Sequence, residues 1–99
     1  MTEPRADPPP GVGPVLEASE SGRAVVAAIV QLNPAARVQD RGAYLRVSVP
    51  GRCVVTRRAI EAELGHGLEW PGGLELVMPA FQGRLSLDEE TAEWRLDRA

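Results

Sequence analysis

The chain has 99 residues, 11 basic and 14 acidic, for a formal net charge of −3. That length admits one small domain with a modest core and leaves little room for a large cofactor or a deep catalytic cavity. All 11 basic residues are arginines, scattered and outnumbered by acids, which argues against a nucleic-acid partner.

No membrane partner is expected. The longest uncharged stretch in the body of the chain, Ala24 to Ala36, is 13 residues, and a spanning helix needs about 20. No basic-then-apolar leader pattern opens the chain. The lone Cys53 has no disulfide partner, so a cytoplasmic setting is expected.

Residues 1–11 hold four of the nine prolines, including Pro8-Pro9-Pro10, and read as a mobile tail. Residues 12–99 read as a single domain. Val15 and Leu16 form a short extended piece, and Ser19 to Ser21 can cap a helix. From Arg23 to Leu32 the residues Val25, Ala28, Ile29 and Leu32 recur at i, i+3, i+4 and i+7, one helix face. Val26 and Val30 widen that face, and the β-branched run keeps a strand reading open. Asn33-Pro34 ends the element.

Val38 to Asp40 is extended. In residues 43–49, Leu45, Val47 and Val49 alternate with Tyr44, Arg46 and Ser48, the period of a half-buried strand. Pro50-Gly51 suits a type II turn, so residues 43–55 are expected to pair as a hairpin. Thr56 caps a short helix over 57–64 that ends at Gly65, with Ile60 and Leu64 inward. Arg57 and Arg58 fall in its first turn, where cations oppose the helix dipole. Glu61 partly compensates Arg57 at i+4, while Arg58 faces Ala62 and has no such partner, which reads either as a solvated arginine tolerated at the surface or as a hint of an acidic partner surface. Residues 66–73 read as a loop, Leu74, Leu76 and Met78 as an alternating strand, and 84–87 with 92–96 as a hairpin around Asp88-Glu89-Glu90. Two short helices on mostly antiparallel, hairpin-linked strands make an α+β domain.

Catalytic readings are poor. One Cys and one His fall short of a zinc ligand set, so no metal or other cofactor is expected. Glu63-Leu64-Gly65-His66 spells one Glu-x-x-His element, but a diiron site needs two such elements and further carboxylates. Cys53 and His66 are a thiol–imidazole pair in principle, yet Cys53 reads as a buried strand residue. The acidic run reads as a solvated turn. Composition and spacing stop at a small cytoplasmic α+β domain with no active site; a protein-binding adaptor with an unrelated partner and a small enzyme using Cys53, His66 or the acidic turn stay open as readings from other classes.

The motifs go further. Val12-Gly13-Pro14-Val15-Leu16, Asn33-Pro34, Val38-Gln39-Asp40-Arg41-Gly42-Ala43-Tyr44-Leu45-Arg46-Val47, Thr56-Arg57-Arg58, Glu63-Leu64-Gly65, Leu74-Glu75-Leu76 and Ala80-Phe81-x-Gly83 occur in order. Together they resemble the MmoB/DmpM family, the effector components of soluble bacterial diiron monooxygenases. The pattern sits nearest the toluene and aromatic-hydrocarbon branch and covers residues 12–98. The resemblance implies a non-catalytic, cofactor-free protein that is a monomer when free. It would bind the diiron hydroxylase and act through it on a Rieske-type ferredoxin or reductase. Candidate contact residues are Asn33, Asp40, Arg41, Tyr44, Arg46, Arg57 and Arg58, polar side chains in family motifs that the fold itself is not expected to need.

Overall fold

The computed structural model describes residues 9–96. Most of the expected tail, residues 1–8, lies outside the described residues. Pro9 and Pro10 are exposed, and Gly11 already pairs with Pro50 across two strands.

The first strand, β1, is Gly11–Glu17, and it leads into helix α1, Glu20–Leu32. Ser19 caps the helix, its hydroxyl accepting from the Gly22 amide at 3.1 Å. The helical reading of this β-branched run therefore holds, because a cap and a buried stripe outweigh weak propensity. Ala24, Val25, Ala28 and Ile29 form the buried stripe. Val26 is half-buried, whereas Val30 and Leu32 are exposed at 47% and 41%, so the inward face is narrower than the apolar pattern suggests.

Strand β2, Arg37–Asp40, and strand β3, Tyr44–Pro50, pair antiparallel as a hairpin. Strand β4 is Arg52–Thr56, helix α2 is Arg57–Leu64 and helix α3 is Gly72–Val77. Strands β5, Ala80–Gln82, β6, Arg84–Leu87, and β7, Thr91–Arg95, complete the chain. They assemble into a four-stranded sheet ordered β2-β3-β1-β5 and a three-stranded sheet ordered β4-β7-β6. The architecture is α+β and antiparallel, with three helices.

Two expectations are corrected. Residues 43–49 and 52–55 do not pair with each other. β3 lies between β1 and β2, while β4 pairs with β7 in the other sheet. Pro50-Gly51 does turn the chain, with Gly51 at φ +76°, but as a corner between sheets. The Gly51 amide donates to the Pro10 carbonyl and its carbonyl accepts from the Leu96 amide, so the corner is held from both sides. The second correction is α3, where an alternating strand was expected. Leu74 and Met78 lie four residues apart and both face the core, while Leu76 is 81% exposed.

α1 packs against strands of both sheets and against α2 and α3. Val12 and Leu16, Val25 and Ile29, Val47, Val55, Ile60, Leu74 and Trp94 form the continuous core around it. Each of the larger aliphatic side chains contributes about 1.5–3 kcal/mol on burial. Trp94 is fully buried, and its indole N–H has no hydrogen-bond partner. At Gly13 a Cβ would sit 2.7 Å from the Val47 carbonyl oxygen, so β1 and β3 approach closely there only because glycine has none.

Candidate docking surface

Four of the expected contact residues converge on the β2–β3 hairpin. Leu45, Val47 and Val49 are buried, which turns Tyr44, Arg46 and Ser48 to the outer face. Gln39 lies opposite Arg46 on one side, and Val15 lies opposite it on the other. Tyr44 is 44% exposed across from Glu17, and β2 is exposed along its whole length. Asp40 shapes the loop. Its Oδ1 accepts from the Gly42 amide at 2.8 Å, and the Arg41 amide donates to the Tyr44 carbonyl at 2.8 Å. Arg41 and Arg46 share a shallow groove with Arg37, Val38, Gln39 and Ser48.

Arg57 and Arg58 belong to a different neighbourhood, on the helix that follows β4. Thr56 caps that helix, its hydroxyl accepting from the Ala59 amide at 3.1 Å, and Gly65 closes it in the left-handed region. Arg57 Nε donates to Glu61 Oε2 at 3.1 Å, as the i+4 spacing implied. Glu61 also accepts from the Leu68 amide at 2.8 Å. These two bonds, the Leu68 amide first, hold the Glu61 carboxyl below its ordinary value. Trp70 closes the same neighbourhood, its indole N–H donating to the Asp88 carbonyl at 2.7 Å. Arg57 is thus tied into the fold beside Trp70, Pro71 and the acidic turn. Arg58 is exposed and forms no ion pair among the described residues.

Asn33 is corrected as a side chain the fold does not need. It is 7% exposed. Its Nδ2 donates to the Ile29 and Val54 carbonyls, both at 2.7 Å, and its Oδ1 accepts from the Val54 amide at 3.1 Å. The side chain bonds the end of α1 to β4, 21 residues on, and buries an amide only because its bonds are made.

The catalytic alternatives find no geometry. Cys53 is buried, and burial pushes its thiol up to about 12. His66 is exposed, its Nδ1 against the Gly67 carbonyl and its Nε2 3.8 Å from Glu20. Asp88 Oδ1 accepts from the Glu90 and Thr91 amides, which makes the acidic run a turn with a structural job. Among the described residues, no three His, Cys, Asp or Glu side chains are grouped to hold a metal ion.

The model of the MmoB/DmpM family matches residues 11–95. The chain belongs to that family. As an MmoB/DmpM protein it is similar to the effector subunit of an alkene monooxygenase system from Xanthobacter autotrophicus. The two are 34% identical over 85 residues, 84% of this chain and 83% of the relative. Among solved structures, it superposes on a chain from a phenol hydroxylase–regulatory protein complex with TM-score 0.70 at 25% identity, covering 85% of this chain and 99% of that one. The regulatory protein B of soluble methane monooxygenase superposes with TM-score 0.67 at 18% identity, covering 97% and 71%. That last likeness is one of fold alone.

Arg37 was not among the expected contact residues. It sits one position before the extended segment 38–40, and only the β2–β3 register, which puts it opposite Ser48, brings it into the groove of Arg41 and Arg46.

Proposed function

We propose that this MmoB/DmpM protein is a non-catalytic effector that binds the diiron hydroxylase of a multicomponent monooxygenase. Binding would reshape the hydroxylase's active site so that electron delivery, oxygen activation and hydrocarbon hydroxylation stay coupled. The observation that carries this reading is the 34% identity to an alkene monooxygenase effector subunit across 84% of the chain. The likeness to a chain from a phenol hydroxylase–regulatory protein complex supports the hydroxylase as the partner. We place the substrate among the alkenes and aromatic hydrocarbons.

The energetic content is linkage. An effector shifts its hydroxylase only by its differential affinity for two states, about 1–3 kcal/mol in typical couplings. In this reading Asp40, Arg41, Tyr44 and Arg46 contact the hydroxylase from the hairpin, and Arg57 and Arg58 from the start of α2. Asn33 supports the fold between them. The protein is a cytoplasmic monomer when free, and it meets the Rieske-type ferredoxin or reductase through the hydroxylase. No helix among the described residues is long and apolar enough to cross a membrane, which fits that setting.

The test is reconstitution. Hydroxylase, reductase and electron donor are assayed for hydrocarbon turnover with and without this protein. A several-fold rise in product per electron consumed is expected at stoichiometric effector. Equal turnover and equal coupling in both arms would overturn the reading.

A further inference from the structure

The outer face of the four-stranded sheet carries a charge that the fold leaves unanswered. Three of the chain's 11 arginines, Arg37, Arg41 and Arg46, line one groove across β2 and β3. None of them forms an ion pair among the described residues; Arg23, Arg58 and Arg84 are also unpaired, but Arg37, Arg41 and Arg46 are the ones gathered in one groove. Two carboxylates are near in the register. Asp40 is bonded to the loop amide of Gly42, and Glu17 lies beyond Arg46 at the Tyr44 end of the face. A local excess of positive charge thus stands on a chain whose net charge is −3. Three like charges in one groove repel one another, and neither carboxylate forms an ion pair with them, so their grouping does little for the fold.

The surroundings indicate what would. Arg46 is half-buried between Gln39 and Val15, which limits its freedom and lowers the entropy lost when it is engaged. Tyr44, 44% exposed, lies on the same face, and the half-buried Val15 of β1 stands beside Arg46. A flat patch of Arg, Tyr and a small apolar side chain has the composition of a protein–protein interface. Guanidinium forks match carboxylates in bidentate geometry. We infer that this groove docks an acidic, carboxylate-bearing patch of the hydroxylase, with Arg37, Arg41 and Arg46 steering the encounter and setting its salt dependence. The inference rests on the effector reading above and specifies the chemistry of its docking face.

The experiment compares the full-length protein with the triple variant Arg37→Glu/Arg41→Glu/Arg46→Glu and with its Arg→Gln counterpart. Association with purified hydroxylase is followed by stopped flow at several salt concentrations, and turnover is read in parallel. Arg23→Glu is the control, an exposed arginine on α1 in a groove with Glu20 and Glu63. Melting curves establish that each variant is folded, and if the Glu variant is not, the Gln variant decides. The Glu variant is expected to associate at least about 10-fold more slowly at low salt, with a flattened salt dependence. The Gln variant should fall between it and the parent, and Arg23→Glu should stay near the parent. If the parent protein binds and stimulates while the folded variants associate at its rate, the arginine groove is not the docking face and the effector reading stands. If the parent protein itself neither binds nor stimulates, the effector reading fails and takes this inference with it.

Discussion

In the three-stranded sheet Arg52 and Arg95 both reach Glu93, whereas Arg37 and Arg46 of the four-stranded sheet and Arg41 in its β2–β3 loop form no ion pair among the described residues. The two sheets have the same antiparallel build and one shared helix packed against them. They differ in what their outward side chains do. The three-stranded sheet pairs two of its three arginines with Glu93, leaving Arg84 unpaired among the described residues, and holds Trp94, the largest fully buried side chain. The four-stranded sheet leaves its polar face open beside an exposed strand. In the proposed reading, one sheet anchors the domain and the other meets the partner.

That contrast can be broken most directly at Trp94. Trp94→Ala should cost about 3–5 kcal/mol in denaturant unfolding. Trp94→Phe should cost much less, since it also removes an indole N–H that has no partner. A small loss for the alanine variant would mean that the three-stranded sheet is not the anchor. Next comes Asn33→Ala, which strips partners from the Val54 amide and carbonyl. A loss of about 2 kcal/mol is expected, or a melting temperature lower by about 8–16 °C. Acid sharpens the comparison further. The Arg52 hydrogen bond, then that of Arg95, holds the Glu93 carboxyl below its ordinary value of 4.5. A lowered folded-state value adds stability that is complete above 4.5 and lost as pH falls through the folded value. Glu93→Gln should therefore flatten the acid limb of the stability–pH curve. The smallest effect belongs to the other sheet. The Arg37→Gln/Arg41→Gln/Arg46→Gln variant should unfold within about 0.5 kcal/mol of the parent protein. A larger loss would show that those arginines serve the fold.

Much of this was legible in the residues. The 3.6-residue recurrence of Val25, Ala28 and Ile29 announced α1, and Thr56 and Gly65 bounded α2 where expected. Ala92 and Trp94 marked β7 by their alternation, and β6 pairs with it around the acidic turn. What local pattern could not carry was partnership between strands. Pro50-Gly51 signals a change of direction equally well within a hairpin and between two sheets, and only tertiary packing selects the second. Leu74 and Met78 fit both a period of two and a spacing of four, so their helix was hidden until Leu76 proved exposed. For the candidate site, alternation correctly turned Tyr44 and Arg46 outward. It missed Arg37, whose role depends on a hairpin register. It also misread Asn33, because a bond reaching 21 residues along the chain leaves no mark on the neighbouring residues.

Asn33 has one more consequence. β4 is the border of its sheet, paired on one side with β7. The Asn33 amide presents one donor and one acceptor to Val54, as the peptide group of an added strand would. A side chain thus stands in for a neighbouring strand and blunts a template on which another chain could grow. Asn33 would in this way help keep the free protein soluble at high concentration, a service separate from the stability it adds.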